Sequence, residues 1–134
     1  MDGTLTGIRY PFDVYNVVAI PDFQYGGMEH PGAVYYRAST MFLDRNADLT
    51  AWMKRSDVIA HETAHMWFGD YVTMRWFNDV WLKEVFAGFM SDKIMTQLYP
   101  EVNHRLNFFL NHYEPALRTD RTRGTHPICR SWII

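Results

Sequence analysis

Cysteine is nearly absent from this sequence, which has 134 residues and a single thiol at Cys129. A disulfide within the chain is therefore impossible, and zinc sites built from several cysteines are excluded. Charge of one sign is also scarce, because 13 basic and 15 acidic residues give a formal net charge of −2. This balance predicts no partnership with nucleic acid or with an anionic membrane surface.

Long hydrophobic runs are missing as well. No apolar run approaches the roughly 20 residues that a membrane span requires. The first residues, 1–7, are polar and lack the charged and then apolar pattern of a signal peptide. A cytoplasmic protein is therefore the default expectation.

The residues that are present predict a globular α+β chain. Apolar residues make up 48% and aromatic residues 16% of the sequence, which is typical of a packed domain. Short β-branched and aromatic runs predict strands at 17–20 and 33–37. Helical periodicity then predicts three helices, over about 49–69, 79–98 and 101–117. The expected fold is mostly helical, with a small strand remnant.

One pentapeptide within the first predicted helix carries metal chemistry. His61-Glu62-Thr63-Ala64-His65 has the form H-E-x-x-H. Histidines four residues apart lie on the same helical face, so both imidazoles can bind one ion. Glu62 then lies beside them as a candidate general base, the arrangement of a catalytic zinc site. The pattern also arises by chance, so the motif alone is only moderately specific.

A third ligand is available from the next predicted helix. Eighteen residues separate His65 from Glu84, which lies near the start of that helix. If the two helices pack antiparallel, the carboxylate of Glu84 returns to the two histidines. Two histidines and a glutamate leave one zinc position for water, as catalysis requires. We therefore predict one Zn²⁺ per chain.

Several longer stretches resemble the gluzincin aminopeptidases, the family of aminopeptidase N and leukotriene hydrolase, from about residue 7 to residue 128. They are His61-Glu62-Thr63-Ala64-His65-Met66-Trp67-Phe68-Gly69-Asp70, Val72-Thr73-Met74 and Trp81-Leu82-Lys83-Glu84. Upstream, Gly26-Gly27-Met28-Glu29-His30 is similar to the exopeptidase signature Gly-x-Met-Glu-Asn of that family. Two motifs in the same order make the resemblance specific.

The resemblance implies a substrate-binding role for the upstream motif, formed by Gly26, Gly27, Met28 and Glu29. Glu29 would bind the α-ammonium group of a peptide with a free N-terminus. A carboxylate at a fixed distance from the metal suits that purpose. The two glycines would let the peptide backbone approach closely.

The resemblance also implies a truncated thermolysin-like zincin domain. Residues 1–134 would form one partial catalytic domain, without the upstream β-rich domain, the downstream helical region and the oxyanion-stabilising tyrosine of the family. Two alternatives remain open: a zinc endopeptidase of the same fold, which has no use for Glu29, and an inactive metal-binding fragment.

Three positions depart from the family pattern. His30 replaces an asparagine, and Lys83 and Val85 replace the asparagine and glycine that more often flank the glutamate ligand. A cation at Lys83 is expected to weaken metal binding unless it points to solvent.

The remaining candidates are expected to be structural. Five aromatic residues are predicted to lie in the core rather than to stack on substrate. They are Trp67, Trp76, Phe77, Trp81 and Phe86. His104, His112 and His126 have no partner at ligand spacing and are predicted to lie on the surface, and Cys129 is predicted to have no catalytic role.

Overall fold

The computed structural model describes residues 5–125, so that His126 and Cys129 lie outside the described part. The chain divides into two units, the first ending at Pro100 and the second beginning at Glu101. The first unit contains β1 (Tyr15–Ile20), β2 (Gly27–Met28), β3 (Gly32–Arg37), α1 (Ala38–Met41), α2 (Leu49–His65) and α3 (Trp81–Leu98). The second contains α4 (His104–Phe108), a π-helical turn (Phe109–Tyr113) and α5 (Glu114–Asp120).

The three strands form one small mixed sheet in the order β1-β3-β2. β1 runs parallel to β3, with Val17 opposite Val34, whereas β2 runs antiparallel to β3, with Met28 opposite Tyr35. Both predicted strands are confirmed. β2 falls in a segment that we expected to be irregular. A strand of two residues, one of them glycine, is too short to show an alternating pattern.

The core of the first unit lies between β3 and the end of α2. Alternate residues of β3, Val34 and Tyr36, are fully buried and pack with Met66 and Trp67. The indole nitrogen of Trp67 donates a hydrogen bond of 3.0 Å to the carbonyl of Ile8, which ties the N-terminal segment to this core. Burial of these large apolar side chains is the main force that holds the sheet against α2.

α2 begins and ends at residues that explain its bounds. The side chain of Asp48 caps its N-terminus by accepting a hydrogen bond of 2.8 Å from the amide of Ala51. At the other end the chain turns through Gly69, whose φ of +138° is a conformation that other residues rarely adopt. The helix expected over 49–69 therefore ends at His65, and turns with an isolated bridge between Phe68 and Val72 follow.

α3 packs antiparallel to α2, as predicted. The start of α3 lies beside the end of α2, and further along Ser91 donates a 2.6 Å hydrogen bond to Asp57 in the middle of α2. Beyond the end of α3, the hydroxyls of Tyr99 and Ser56 are 2.8 Å apart. Small buried residues on both helices, among them Ala60 and Ala87, allow the two backbones to approach closely.

In the second unit, one helical stretch from His104 to Asp120 widens to a π-helical turn at Phe109–Tyr113. Pro115 follows this turn; its ring cannot donate a hydrogen bond and would clash with the carbonyl of Asn111 in a regular α-helix. The stretch begins later than the expected 101, because the side chain of Asn103 caps it by accepting from the amide of Leu106 at 3.0 Å.

The prediction that the aromatic residues form core is correct for Trp67 and wrong for the others. Trp76 and Phe77 are 66% and 74% exposed, and Trp81 and Phe86 are also exposed. Within residues 5–125, the other segments leave these four side chains exposed. Of the two described surface candidates, His112 is exposed and His104 is partly buried. Across residues 5–125, no helix combines the length and apolar character needed to cross a membrane.

Candidate metal centre and active site

Three predicted ligand atoms converge where α2 ends and α3 begins. Nε2 of His61 lies 3.1 Å from Nε2 of His65. Oε2 of Glu84 lies 3.4 Å from the first of these nitrogens and 3.6 Å from the second. Tetrahedral zinc with bonds of about 2.0–2.1 Å requires ligand atoms about 3.3 Å apart. The spacing and the N, N, O donor set therefore fit a zinc ion.

His65 is held in the orientation that a ligand needs. Its side chain is only 1% exposed. Its Nδ1 lies 3.1 Å from the carbonyl of Phe68. Because a carbonyl can only accept, Nδ1 carries the proton in this hydrogen bond, and Nε2 keeps its lone pair for a metal. Burial, followed by the charge of neighbouring His65, lowers the pKa of His61, which also favours the neutral ligand form.

Glu62 lies beside these ligands and is nearly enclosed, with 6% of its surface exposed. Its side chain occupies the space in which a β-carbon at Gly27 would stand. From the sequence we expected a glycine at position 27 because it would let a peptide approach. The structure gives another reason for glycine there, since any larger residue would overlap Glu62. Gly26 differs, because a β-carbon there would make only an ordinary 3.7 Å contact with Val58.

Glu29 lies on the same side of the site as Glu62. Three atoms lie within 4.8 Å of one another: a carboxylate oxygen of Glu29, a carboxylate oxygen of Glu62 and a ring nitrogen of His65. The ammonium group of Lys83 donates a hydrogen bond to Oε1 of Glu29 and also lies 3.6 Å from Oε1 of Glu84. Lys83 therefore points into the site and not to solvent, and only 26% of its side chain is exposed.

The site carries an excess of negative charge. Burial, and then repulsion from Glu29 and Glu84, raises the pKa of Glu62 to about 8. Burial and the charge of Glu29 likewise raise the pKa of Asp70 to about 6, and its Oδ2 is buried without a hydrogen-bond partner among residues 5–125. A bound dication would relieve this repulsion.

Glu29 responds differently to its surroundings. Burial is the largest single influence and would raise the pKa of its carboxyl. The hydrogen bond from Lys83, a backbone hydrogen bond and the nearby positive charges together outweigh burial, so the pKa is lowered. Burial would lower the pKa of the Lys83 ammonium, but the hydrogen bond to Glu29 and the charges of Glu29 and Glu84 together raise it. Both groups are therefore charged at neutral pH, and they form an ion pair.

A second group of potential ligands, Glu29, Glu62 and His65, shares one histidine with the first. The ammonium of Lys83 already neutralises Glu29, so these three residues present less negative charge to a metal ion than two glutamates would otherwise supply. The set formed by His61, His65 and Glu84 is thus the better candidate for the metal.

Behind the site, a chain of hydroxyl groups joins the sheet to α2. The hydroxyl of Tyr15 lies 2.7 Å from that of Tyr36 and 2.8 Å from that of Thr63, the residue next to Glu62. Burial and the hydrogen bond to Tyr15 raise the pKa of Tyr36, which keeps its hydroxyl neutral. Sequence patterns do not reveal this network, because its three members come from separate elements.

The site combines a buried carboxylate between two histidines with a third ligand from an antiparallel helix. A comparison with known protein families agrees with this arrangement. Residues 3–132 match the peptidase family M1 domain. The chain belongs to peptidase family M1. The resemblance inferred from the H-E-x-x-H and Gly-Gly-Met-Glu stretches is thereby confirmed, and the M1 match includes every site residue described above.

Similar M1 proteins include several that are named aminopeptidases. The chain is 41% identical to a leucyl aminopeptidase of Saccharolobus solfataricus over 90% of its own length and 15% of that protein. It is 40% identical to a puromycin-sensitive aminopeptidase of Caenorhabditis elegans over 90% of its length and 13% of that protein. It is 38% identical to tricorn protease-interacting factor F2 of Thermoplasma acidophilum over 91% of its length and 16% of that protein. The chain thus spans about a seventh of the length of these relatives.

Proposed function

We propose that this M1 chain carries the zinc-binding and proton-transfer part of an aminopeptidase, with His61, His65 and Glu84 as ligands. The observation that carries the proposal is the convergence of their three ligand atoms at separations of 3.1, 3.4 and 3.6 Å. The domain around them is a thermolysin-like zincin domain in this proposal.

Glu62 is the general base. A zinc ion at the three ligands would polarise the scissile carbonyl and lower the pKa of a water molecule. Glu62 accepts the proton of the attacking water and passes it to the leaving amine. The tight fit of its side chain against Gly27 limits the positions that the carboxylate can take, which is the precondition for efficient proton transfer.

Glu29 selects the N-terminus of the peptide. Its carboxylate lies within 4.8 Å of Glu62 and His65, close enough for it to bind the α-ammonium of a residue whose carbonyl faces the metal site. β2 forms one edge of the sheet immediately before Glu29 and presents backbone groups along which an extended peptide can align. The names of two relatives, leucyl aminopeptidase and puromycin-sensitive aminopeptidase, support this choice of substrate.

Metal analysis tests the first half of the proposal. Purified chain should bind about one zinc ion, because the residues supply one set of three ligands. His65→Ala should lose most of this zinc, whereas the control His104→Ala, in the second unit, should keep it. Equal zinc affinity in His65→Ala and the parent would show that the ligand assignment is wrong.

A zinc endopeptidase is the second candidate, and one observation favours it. Lys83 pairs with Glu29, so that the carboxylate expected to receive a substrate ammonium already has a cation beside it. Hydrolysis of one peptide with a free N-terminus and of the same peptide after acetylation separates the candidates. An aminopeptidase cleaves the first peptide much faster than the second, and equal cleavage of both would favour an endopeptidase. Failure of zinc-loaded protein to cleave either peptide would favour an inactive metal-binding chain.

A further inference from the structure

Lys83 brings a primary ammonium group to the carboxylate that the proposed function assigns to the substrate. Its Nζ donates to Oε1 of Glu29, a residue 54 positions away in the sequence. The side chain of Glu29 is 12% exposed and that of Lys83 is 26% exposed, so that the contact is largely shielded from solvent.

The stem of Lys83 is held in place along its length. A β-carbon at Gly69 would meet Cβ of Lys83 at 3.4 Å and Cδ at 3.5 Å, so the lysine stem runs directly over the backbone of this glycine. At the far end, Nζ lies 3.6 Å from Oε1 of Glu84, whereas the other oxygen, Oε2, faces the two histidines. Two carboxylates and the backbone of Gly69 thus fix the position of the ammonium group.

The ammonium of a lysine and the α-ammonium of a peptide offer the same interaction. Each is a compact cation with three N–H donors, and each forms a charge-assisted hydrogen bond with a carboxylate. When Lys83 donates to Oε1 of Glu29, an incoming α-ammonium must either displace it or share a partly neutralised carboxylate.

We propose that Lys83 is a specificity-determining residue which occupies the ammonium site at Glu29 and which peptides with a free N-terminus must displace. Lys83 weakens the binding of substrates that carry an α-ammonium and leaves the binding of N-blocked peptides unchanged. It therefore reduces the preference for free N-termini that Glu29 provides. This inference rests on the proposed aminopeptidase function, because it assumes that Glu29 binds the α-ammonium.

Ligand binding to the zinc-saturated chain tests the inference without any need for turnover. The probes are leucinamide, which has a free α-amine, and N-acetyl-leucinamide, and the dissociation constants are measured by calorimetry. Lys83→Met keeps an unbranched stem and good helix propensity but removes the cation. We expect it to bind leucinamide about 3- to 10-fold more tightly than the parent, since a charged hydrogen bond no longer has to be broken. Its affinity for N-acetyl-leucinamide should stay the same.

Two control variants separate the position of the charge from its presence. Lys83→Arg keeps a cation beside Glu29 and should bind leucinamide like the parent. Lys93→Met removes one positive charge from the same helix, at a lysine that lies 4.8 Å from the ring of Phe89, and should also behave like the parent. If Lys83→Met does not fold, Lys83→Gln can replace it in the same measurement, because glutamine also removes the positive charge.

The outcomes distinguish this inference from the proposed function. If Glu29→Gln abolishes the preference for leucinamide but neither Lys83→Met nor Lys83→Gln tightens its binding, Lys83 does not compete and only this inference is overturned. If Lys83→Met and Glu29→Gln each bind both probes equally, Glu29 does not recognise the N-terminus even without the competing lysine, and both proposals are overturned.

Discussion

The α-carbon of Gly27 lies against the side chain of Glu62, so closely that a β-carbon at position 27 would overlap the carboxylate and its methylene. Glu62 is only 6% exposed, so its side chain has little free space into which it could move. The absence of a side chain on an edge strand thus helps to determine the position of the proposed general base.

Gly27→Ala should therefore reduce peptide hydrolysis much more than zinc binding. The added methyl group overlaps the side chain of Glu62, which is not one of the three proposed ligands. A misplacement of about 1 Å can cost about 100-fold in rate. Gly26→Ala is the matched comparison and should cause a far smaller loss, because its methyl group meets only Val58 at 3.7 Å. Similar activities of the two variants, measured at saturating zinc, would contradict this account of position 27.

Glu62→Gln should keep zinc and lose turnover. Glutamine has nearly the same size, but it cannot accept the proton of the attacking water. We expect kcat to fall by about 100- to 10,000-fold, the usual contribution of a positioned general base. The loss should be the same for every substrate, and metal analysis should still find about one zinc per chain. A variant that turned over at a tenth of the parent rate would not fit this role.

Glu29→Gln should fail in a different way. It keeps the shape of the side chain but removes the charge that attracts an α-ammonium. Hydrolysis of peptides with a free N-terminus should fall, whereas that of acetylated peptides should not, so the ratio of the two kcat/KM values narrows. An unchanged ratio would remove the main support for the aminopeptidase and favour the endopeptidase.

Thr63→Val should destabilise the fold without touching the metal ligands. Valine has the shape of threonine but leaves the partly buried hydroxyl of Tyr15, which also contacts Tyr36, with one partner fewer. Loss of a buried hydrogen bond of this kind costs about 1–3 kcal/mol in the free energy of unfolding. Urea denaturation measures the change, and Thr50→Val, at an exposed position of the same helix, provides the control. An equal effect at both positions would mean that the hydroxyl network adds nothing to stability.

Gly69→Ala should weaken zinc binding. A β-carbon at this position would lie 3.3 Å from Nδ1 of His65, and the φ of +138° is strained for alanine. Both effects disturb the hydrogen bond from His65 to Phe68, and loss of such an orienting contact weakens metal affinity by about 10- to 100-fold. Gly88→Ala is a suitable control, because no atom lies within 4 Å of its added carbon. Zinc titration of both variants decides whether the turn at Gly69 supports the ligand.

The elements with a strong local signal were predictable. α2 and α3 have long apolar periodicity, a capping residue at Asp48 and a stop at Pro100, so their existence follows from local preferences. β2 was not predictable, because two residues carry no periodicity and the strand exists only through its pairing with β3. The exposure of Trp76 and Phe77 was also unpredictable, since large aromatic residues are ordinarily buried.

The sequence by itself determined the relation between His61, Glu62 and His65, because a helix of 3.6 residues per turn fixes which residues share a face. It also predicted Glu84 as a partner, although its carboxylate reaches the histidines only because α3 packs antiparallel to α2.

Tertiary structure alone decided the contacts between distant segments. The pairing of Lys83 with Glu29 and the contact of Gly27 with Glu62 join residues 54 and 35 positions apart in the sequence. No local preference encodes such distances. They follow from the burial of β3 against α2, which brings the edge strand and the start of α3 to the two sides of one site.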